Sequence, residues 1–142
     1  MAIPAFTVGR RPTSFACPCP WPLQGERGVS TIEIHKRCAA SLTRVLDHLW
    51  YEAGEDIETI KAWRIDRFSG SYVFRTMRGS SHISMHAYGA ALDWDARDNP
   101  FHAGKGHHLF TADSPIVRTF RAESWVWLSD FDPMHFQAAR LR

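Results

Sequence analysis

Apolar residues recur at helical spacing in one long stretch of this 142-residue chain. Leu42, Val45, Leu46, Leu49, Trp50 and Ala53 follow an i, i+3, i+4, i+7 pattern, which predicts an amphipathic helix stopping at Gly54. Just upstream, Ser30-Thr31-Ile32-Glu33 reads as a capping box that opens the helix. A different period appears at Ile60-Lys61-Ala62-Trp63-Arg64-Ile65, whose alternation predicts a strand. Ala90-Ala91-Leu92-Asp93-Trp94-Asp95, Trp125-Val126-Trp127 and Met134-His135-Phe136-Gln137-Ala138 read as further short strands. Ser114-Pro115 opens a second helix running to about Glu123, with proline at a first-turn position.

Between these elements lie two long polar stretches. Residues 69–84 are rich in Ser and Gly and hold Arg75 and His82. Residues 96–112 contain Gly104, Gly106, His102, His107 and His108. Loops longer than about 12 residues inside a compact domain are usually functional or disordered, so these two are expected to wall a cleft. The three histidines of the second loop are read as a polar, solvated group and not as a second metal site. Residues 1–28 are rich in Pro, Gly and Arg. The run Cys17-Pro18-Cys19-Pro20-Trp21-Pro22 excludes a helix interior, so an extended arm anchored by Trp21 is expected, followed by one domain over 29–142. Strands and helices segregate along the chain. The expected class is α+β: a small, mainly antiparallel sheet with the long helix on one face.

Composition narrows the function without choosing it. Seventeen basic against fifteen acidic residues give a net charge of +2, too weak to argue for nucleic-acid binding. No stretch has the apolar length of a transmembrane helix. Met1 to Pro12 has no apolar core, so no signal peptide is expected, and a wall-acting product would need another delivery route. There are three cysteines, Cys17, Cys19 and Cys38; Cys17-Pro18-Cys19 is not a Cys-x-x-Cys pair and the odd count argues against a disulfide framework, so they are expected to be reduced and structural. A monomer is expected.

Two segments offer chemistry together. Ser84-Met85-His86-Ala87-Tyr88-Gly89-Ala90-Ala91-Leu92-Asp93 and Asp132-Pro133-Met134-His135-Phe136 supply two imidazoles and one carboxylate, with a second carboxylate to spare. That is the ligand count of a catalytic zinc with one position left open. His86 and Asp93 would lie roughly 10 Å apart along a helix axis, and on opposite faces of a straight strand. A reversal between them lets them share an ion, and Gly89 permits it most easily. Asp93 then sits on a strand, His86 on the loop before it, and His135 arrives on another strand. Pro133 disfavours helix at Asp132, which is expected in the turn entering the last strand, near enough to take a proton from an attacking water.

At these residues the chain resembles the VanY-type zinc peptidases of peptidoglycan: D-alanyl-D-alanine carboxypeptidases and phage L-alanyl-D-glutamate endopeptidases, distant relatives of the hedgehog signalling domain. The family pattern is Ser-x-His-x-x-Gly-x-Ala-x-Asp, then Asp/Glu-x-x-His-Phe. Ser84, His86, Gly89, Ala91 and Asp93 match the first part, and Asp132, His135 and Phe136 the second. Gly70-Ser71-Tyr72-Val73-Phe74-Arg75 resembles the segment that carries the family's arginine, and Asn99-Pro100 its usual continuation. The resemblance implies one zinc held by His86, Asp93 and His135, with Asp132 as general base. It also implies that Arg75 contacts the carbonyl oxygen or a substrate carboxylate. Ser84, Tyr88 and Gln137 would support the ligands or line the cleft. Two positions depart from the pattern: Trp127-Leu128-Ser129 stands where many relatives have Trp-Gly-Gly, and Gln137 where many have Glu.

The implied activity is hydrolysis of a peptide bond in the stem peptide of bacterial peptidoglycan, as in a phage or prophage lysis enzyme. L-Ala–D-Glu, D-Ala–D-Ala and D-Ala–diaminopimelate bonds all stay open. The alternative is a non-catalytic zinc-containing module that binds protein or wall; such a module need not keep Asp132.

Overall fold

The computed structural model describes residues 14–24, 30–71 and 89–138. These residues form an α+β fold with two small antiparallel sheets and three helices. The first sheet has two strands, β1 (Ser14–Pro18) and β2 (Thr31–His35), with Cys17 opposite Ile32. Then come α1 (Lys36–Glu52), α2 (Ile57–Ala62), β3 (Phe68–Gly70), β4 (Ala91–Trp94), α3 (Pro115–Ala122), β5 (Val126–Leu128) and β6 (Asp132–Gln137). The second sheet runs in the order β3-β4-β6-β5, so β4 and β6 are its two central strands.

The long helix has the expected buried stripe, with Leu42, Val45, Leu46 and Leu49 fully enclosed. It ends near Gly54, whose φ of 70° provides the left-handed turn that glycine adopts cheaply. Its start differs from the expectation. Ser30 to Glu33 do not open a helix: Thr31–His35 pair with β1, and burial of Ile32 and Ile34 stabilises that strand. His35 caps α1 instead, its Nδ1 accepting from the Arg37 amide at 3.1 Å. Burial, followed by the charges of Arg37 and Lys36, pulls the His35 pKa below its ordinary value.

Ile60 to Ile65 do not form the expected strand either. Asp56 caps a short helix there, its Oδ2 accepting from the Thr59 amide at 3.0 Å and the Thr59 hydroxyl at 2.7 Å. That hydrogen bonding, side chain first, lowers the Asp56 pKa. Six residues are too few to separate the two periods, and Ile60 and Ile65 are buried in either reading.

Helix α3 begins at Pro115 as expected, and Phe120 on it stacks on Phe136 of β6 at 4.8 Å between centroids. A helix thus backs the strand that carries His135. Trp21 is buried, and its indole donates to the Ile65 carbonyl at 2.8 Å. Trp94, Trp125 and Trp127 are all core residues. The three cysteines are free and buried; burial raises the Cys17 thiol pKa, and pushes Cys19 up to about 12 and Cys38 to about 11. No helix among the described residues is long and apolar enough to cross a membrane.

Candidate metal centre

Strands β4 and β6 pair so that Asp93 lies directly opposite His135. Opposed residues of an antiparallel pair share one face of the sheet, with their Cβ atoms about 4.5–5.5 Å apart. Register alone therefore brings a carboxylate and an imidazole together from positions 42 apart in the chain. The Oδ1 of Asp93 lies 3.3 Å from the Nδ1 of His135. Both side chains are mostly buried, at 17% and 8% exposure, so their interaction is poorly screened by water.

Asp132 comes to the same place by a different device. It is three residues before His135, and on a regular strand the two would face opposite ways. A register shift breaks the β5–β6 ladder: Trp127 opposes Phe136, yet Leu128 opposes Asp132. The irregular stretch of β6 leaves Asp132 Oδ2 3.9 Å from the Nδ1 of His135. A three-residue 3₁₀ turn, Ser129–Phe131, delivers Asp132 to the strand start. The indole of Trp127 donates to the Pro133 carbonyl at 2.7 Å and holds the bulge.

The other nitrogen of His135 is committed elsewhere. Its Nε2 lies 2.8 Å from Gln137 Oε1, an arrangement in which Nε2–H donates and the amide oxygen accepts. Nδ1 is on the side where Asp93 and Asp132 sit. Metal-binding histidines characteristically donate their second N–H to such an acceptor, which fixes ring orientation. Glutamine at 137, one of the two departures from the family pattern, supplies the acceptor that this requires.

Of the reversal expected between His86 and Asp93, only the part from Gly89 onward lies within the described residues. Gly89 has a φ of 68°, a conformation that glycine adopts without steric cost, and its carbonyl accepts from the His35 amide at 2.7 Å. Four expected site residues, Arg75, Ser84, His86 and Tyr88, fall in 72–88, outside the described residues. Among the described residues no group of three or more His, Cys, Asp or Glu forms a metal-holding cluster. Asp93 and His135 are two of the three expected donors, and the third, His86, lies within 72–88, outside the described residues. A carboxylate oxygen and an imidazole nitrogen on one sheet face, with the second ring nitrogen anchored, is a donor set that fits zinc.

The long loop after β4 is more built than expected. Asn99 is fully buried: its Oδ1 accepts from the Phe110 amide at 2.7 Å, and its Nδ2 donates to the Asp95 carbonyl at 3.1 Å. Asp95 is buried beside it, and burial, followed by the charge of Asp98, raises its pKa. His102 and His107 are exposed, as expected for a solvated loop. His108 is not: its side chain is 5% exposed, and its ring nitrogens face the Phe110 carbonyl at 2.7 Å and the Asp130 carboxylate at 2.6 Å. The solvated reading of His108 is therefore corrected. A histidine and an aspartate 22 positions apart carry no local signal that would pair them.

Residues 78–138 match the family model described as D-alanyl-D-alanine carboxypeptidase. The matched span contains both motif segments, and it supports the family that they suggested. No curated protein and no solved structure gives a match.

Proposed function

From the family match over residues 78–138, we propose that this chain is a zinc-dependent peptidase that hydrolyses a peptide bond in the stem peptide of peptidoglycan. The observation that carries the reading is the cross-strand pair Asp93–His135, with Asp132 beside it, inside the matched segment. His86, Asp93 and His135 would hold the ion. A bound zinc supplies Lewis acidity, which polarises a carbonyl and lowers the pKa of water towards about 7.

The chain's own residues do the rest. Asp132 Oδ2 lies 3.9 Å from His135 Nδ1, which puts the carboxylate beside the expected ligands. Asp132 takes the proton from the attacking water and returns it to the leaving amine. Gln137 orients His135 by accepting from its Nε2–H. Arg75 is assigned to the developing negative charge on the scissile carbonyl, or to a substrate carboxylate. A preorganised donor in that role is typically worth about 10²–10³ in rate. The bond cut and a lytic role in a phage or prophage setting are the finer parts of the proposal.

The test is digestion of purified muropeptides and of wall preparations, with products identified by mass spectrometry. Cleavage of one stem-peptide bond, abolished by a chelator and restored by zinc, is expected. Intact muropeptides at high enzyme concentration with zinc present would overturn the reading in favour of a binding module.

A further inference from the structure

The turn that delivers Asp132 is short, and it has outside support. Ser129 within it holds a φ of 54°, a left-handed conformation that costs energy for a residue with a side chain. Three hydrogen bonds join the turn to the loop after β4. The amide of His102 donates to the Phe131 carbonyl at 2.8 Å and that of Gly104 to the Asp130 carbonyl at 3.4 Å. The third is the His108–Asp130 side-chain bond at 2.6 Å, the shortest of the set. Hydrogen bonds between imidazole and carboxylate are strengthened by charge.

His108 touches the surroundings of Asp132 twice. Through Asp130 it grips the chain two residues before. Its ring also meets Trp127 edge to face, with centroids 6.3 Å apart. Trp127 in turn bonds the Pro133 carbonyl, one residue after Asp132. The loop's other end is anchored through Phe110 and Asn99 to Asp95, two residues past Asp93. A polar path outside the sheet ladder thus joins the strand of one expected ligand to the turn bearing the carboxylate.

We propose that His108, acting through Asp130, is a positioning residue that fixes the carboxylate of Asp132 relative to Asp93 and His135. The proposal rests on Asp132 being the base. A base works only at hydrogen-bond distance, and a misplacement of about 1 Å can cost on the order of 100-fold in rate. His108 touches neither Asp93 nor His135 in these contacts, so its loss acts on the turn and leaves the metal donors in place.

A double-mutant cycle separates this role from general support of the fold. His108→Leu and Asp130→Ala are made singly and in an Asp132→Asn background, and muropeptide hydrolysis and zinc content are measured for each. Asp130 is half exposed, so its truncation leaves no buried void and serves if the His108 variant fails to fold. Each single variant is expected to lower kcat by about tenfold or more, leaving KM and zinc content nearly unchanged. In the Asp132→Asn background the same substitutions are expected to change the residual rate by less than about twofold, as coupled sites do. An equal loss in both backgrounds, or full activity in Asp130→Ala, overturns the positioning role and leaves Asp132 as base. Near wild-type activity in Asp132→Asn alone overturns the base assignment, and the positioning role with it.

Discussion

At the scale of single residues, most of the candidate chemistry is local enough to read from the chain. Asp93, Asp132 and His135 stand in motifs whose spacing carries a mechanism, and the structure brings all three to one point. Gln137 is less legible, because the chain shows only that it lies beside the motif, whereas its contact with His135 Nε2 depends on side-chain direction. His108 shows the limit: only the course of the intervening loop pairs it with Asp130. Asp132→Asn preserves shape and removes the proton acceptor, so folded protein with zinc retained and activity reduced about 10²–10⁴-fold is expected. Muropeptide digestion at close to the wild-type rate would reject Asp132 as the base. Gln137→Leu removes the acceptor of the His135 N–H, and loss of such an outer partner typically costs about 10–100-fold in metal affinity or activity. Zinc affinity, measured by competition with a chromophoric chelator, checks this; unchanged affinity would separate Gln137 from the metal site.

At the scale of elements, the errors of the sequence reading have one cause. Short segments are decided by their partners. Ser30 to Glu33 carry a helix-opening signature, but pairing with β1 wins because it buries Ile32 and Ile34 and places His35 to cap the helix. Ile60 to Ile65 alternate like a strand, but the Asp56 cap and burial of Ile60 select a helical turn. The long helix was legible because its apolar stripe repeats over several turns. The His35 cap has a pH consequence. Its folded-state pKa lies below the ordinary value of 6.5, so the folded chain resists protonation more than the unfolded chain does. Its stabilising contribution is therefore complete above about pH 6.5 and is lost as pH falls through the lowered folded pKa. Thermal melts between pH 7 and 5 should show a steeper loss of Tm in wild type than in His35→Asn, which keeps a capping side chain without a titrating ring. Parallel curves would assign the acid sensitivity to other groups.

At the scale of the whole molecule, the two central strands of one sheet carry the candidate site, Asp93 on β4 and His135 with Asp132 on β6, and the rest of the fold holds them in register. Phe120 presses α3 onto β6 through Phe136. The Gly89 carbonyl ties the start of β4 to the His35 amide, where β2 meets α1. Trp21 joins the N-terminal segment to the body through Ile65 and packs near Trp50, with centroids 6.2 Å apart. Trp21→Ala should therefore lower stability by about 3–5 kcal/mol, as truncation of a buried aromatic does. Chemical denaturation reads this directly, and an unchanged midpoint would show that the N-terminal segment adds little to the fold. The course of the loop after β4 was the least legible feature, because it depends on side-chain contacts such as Asn99–Phe110 and His108–Asp130 that no period encodes. In the proposed function Asp93 and His135, together with His86, hold a single zinc. Elemental analysis of purified wild type, His86→Ala, Asp93→Ala and His135→Ala decides this. About one zinc per wild-type chain, and most of it gone from each variant while the fold persists, is the result expected of a three-ligand site; full retention of zinc in any of the three variants would contradict it.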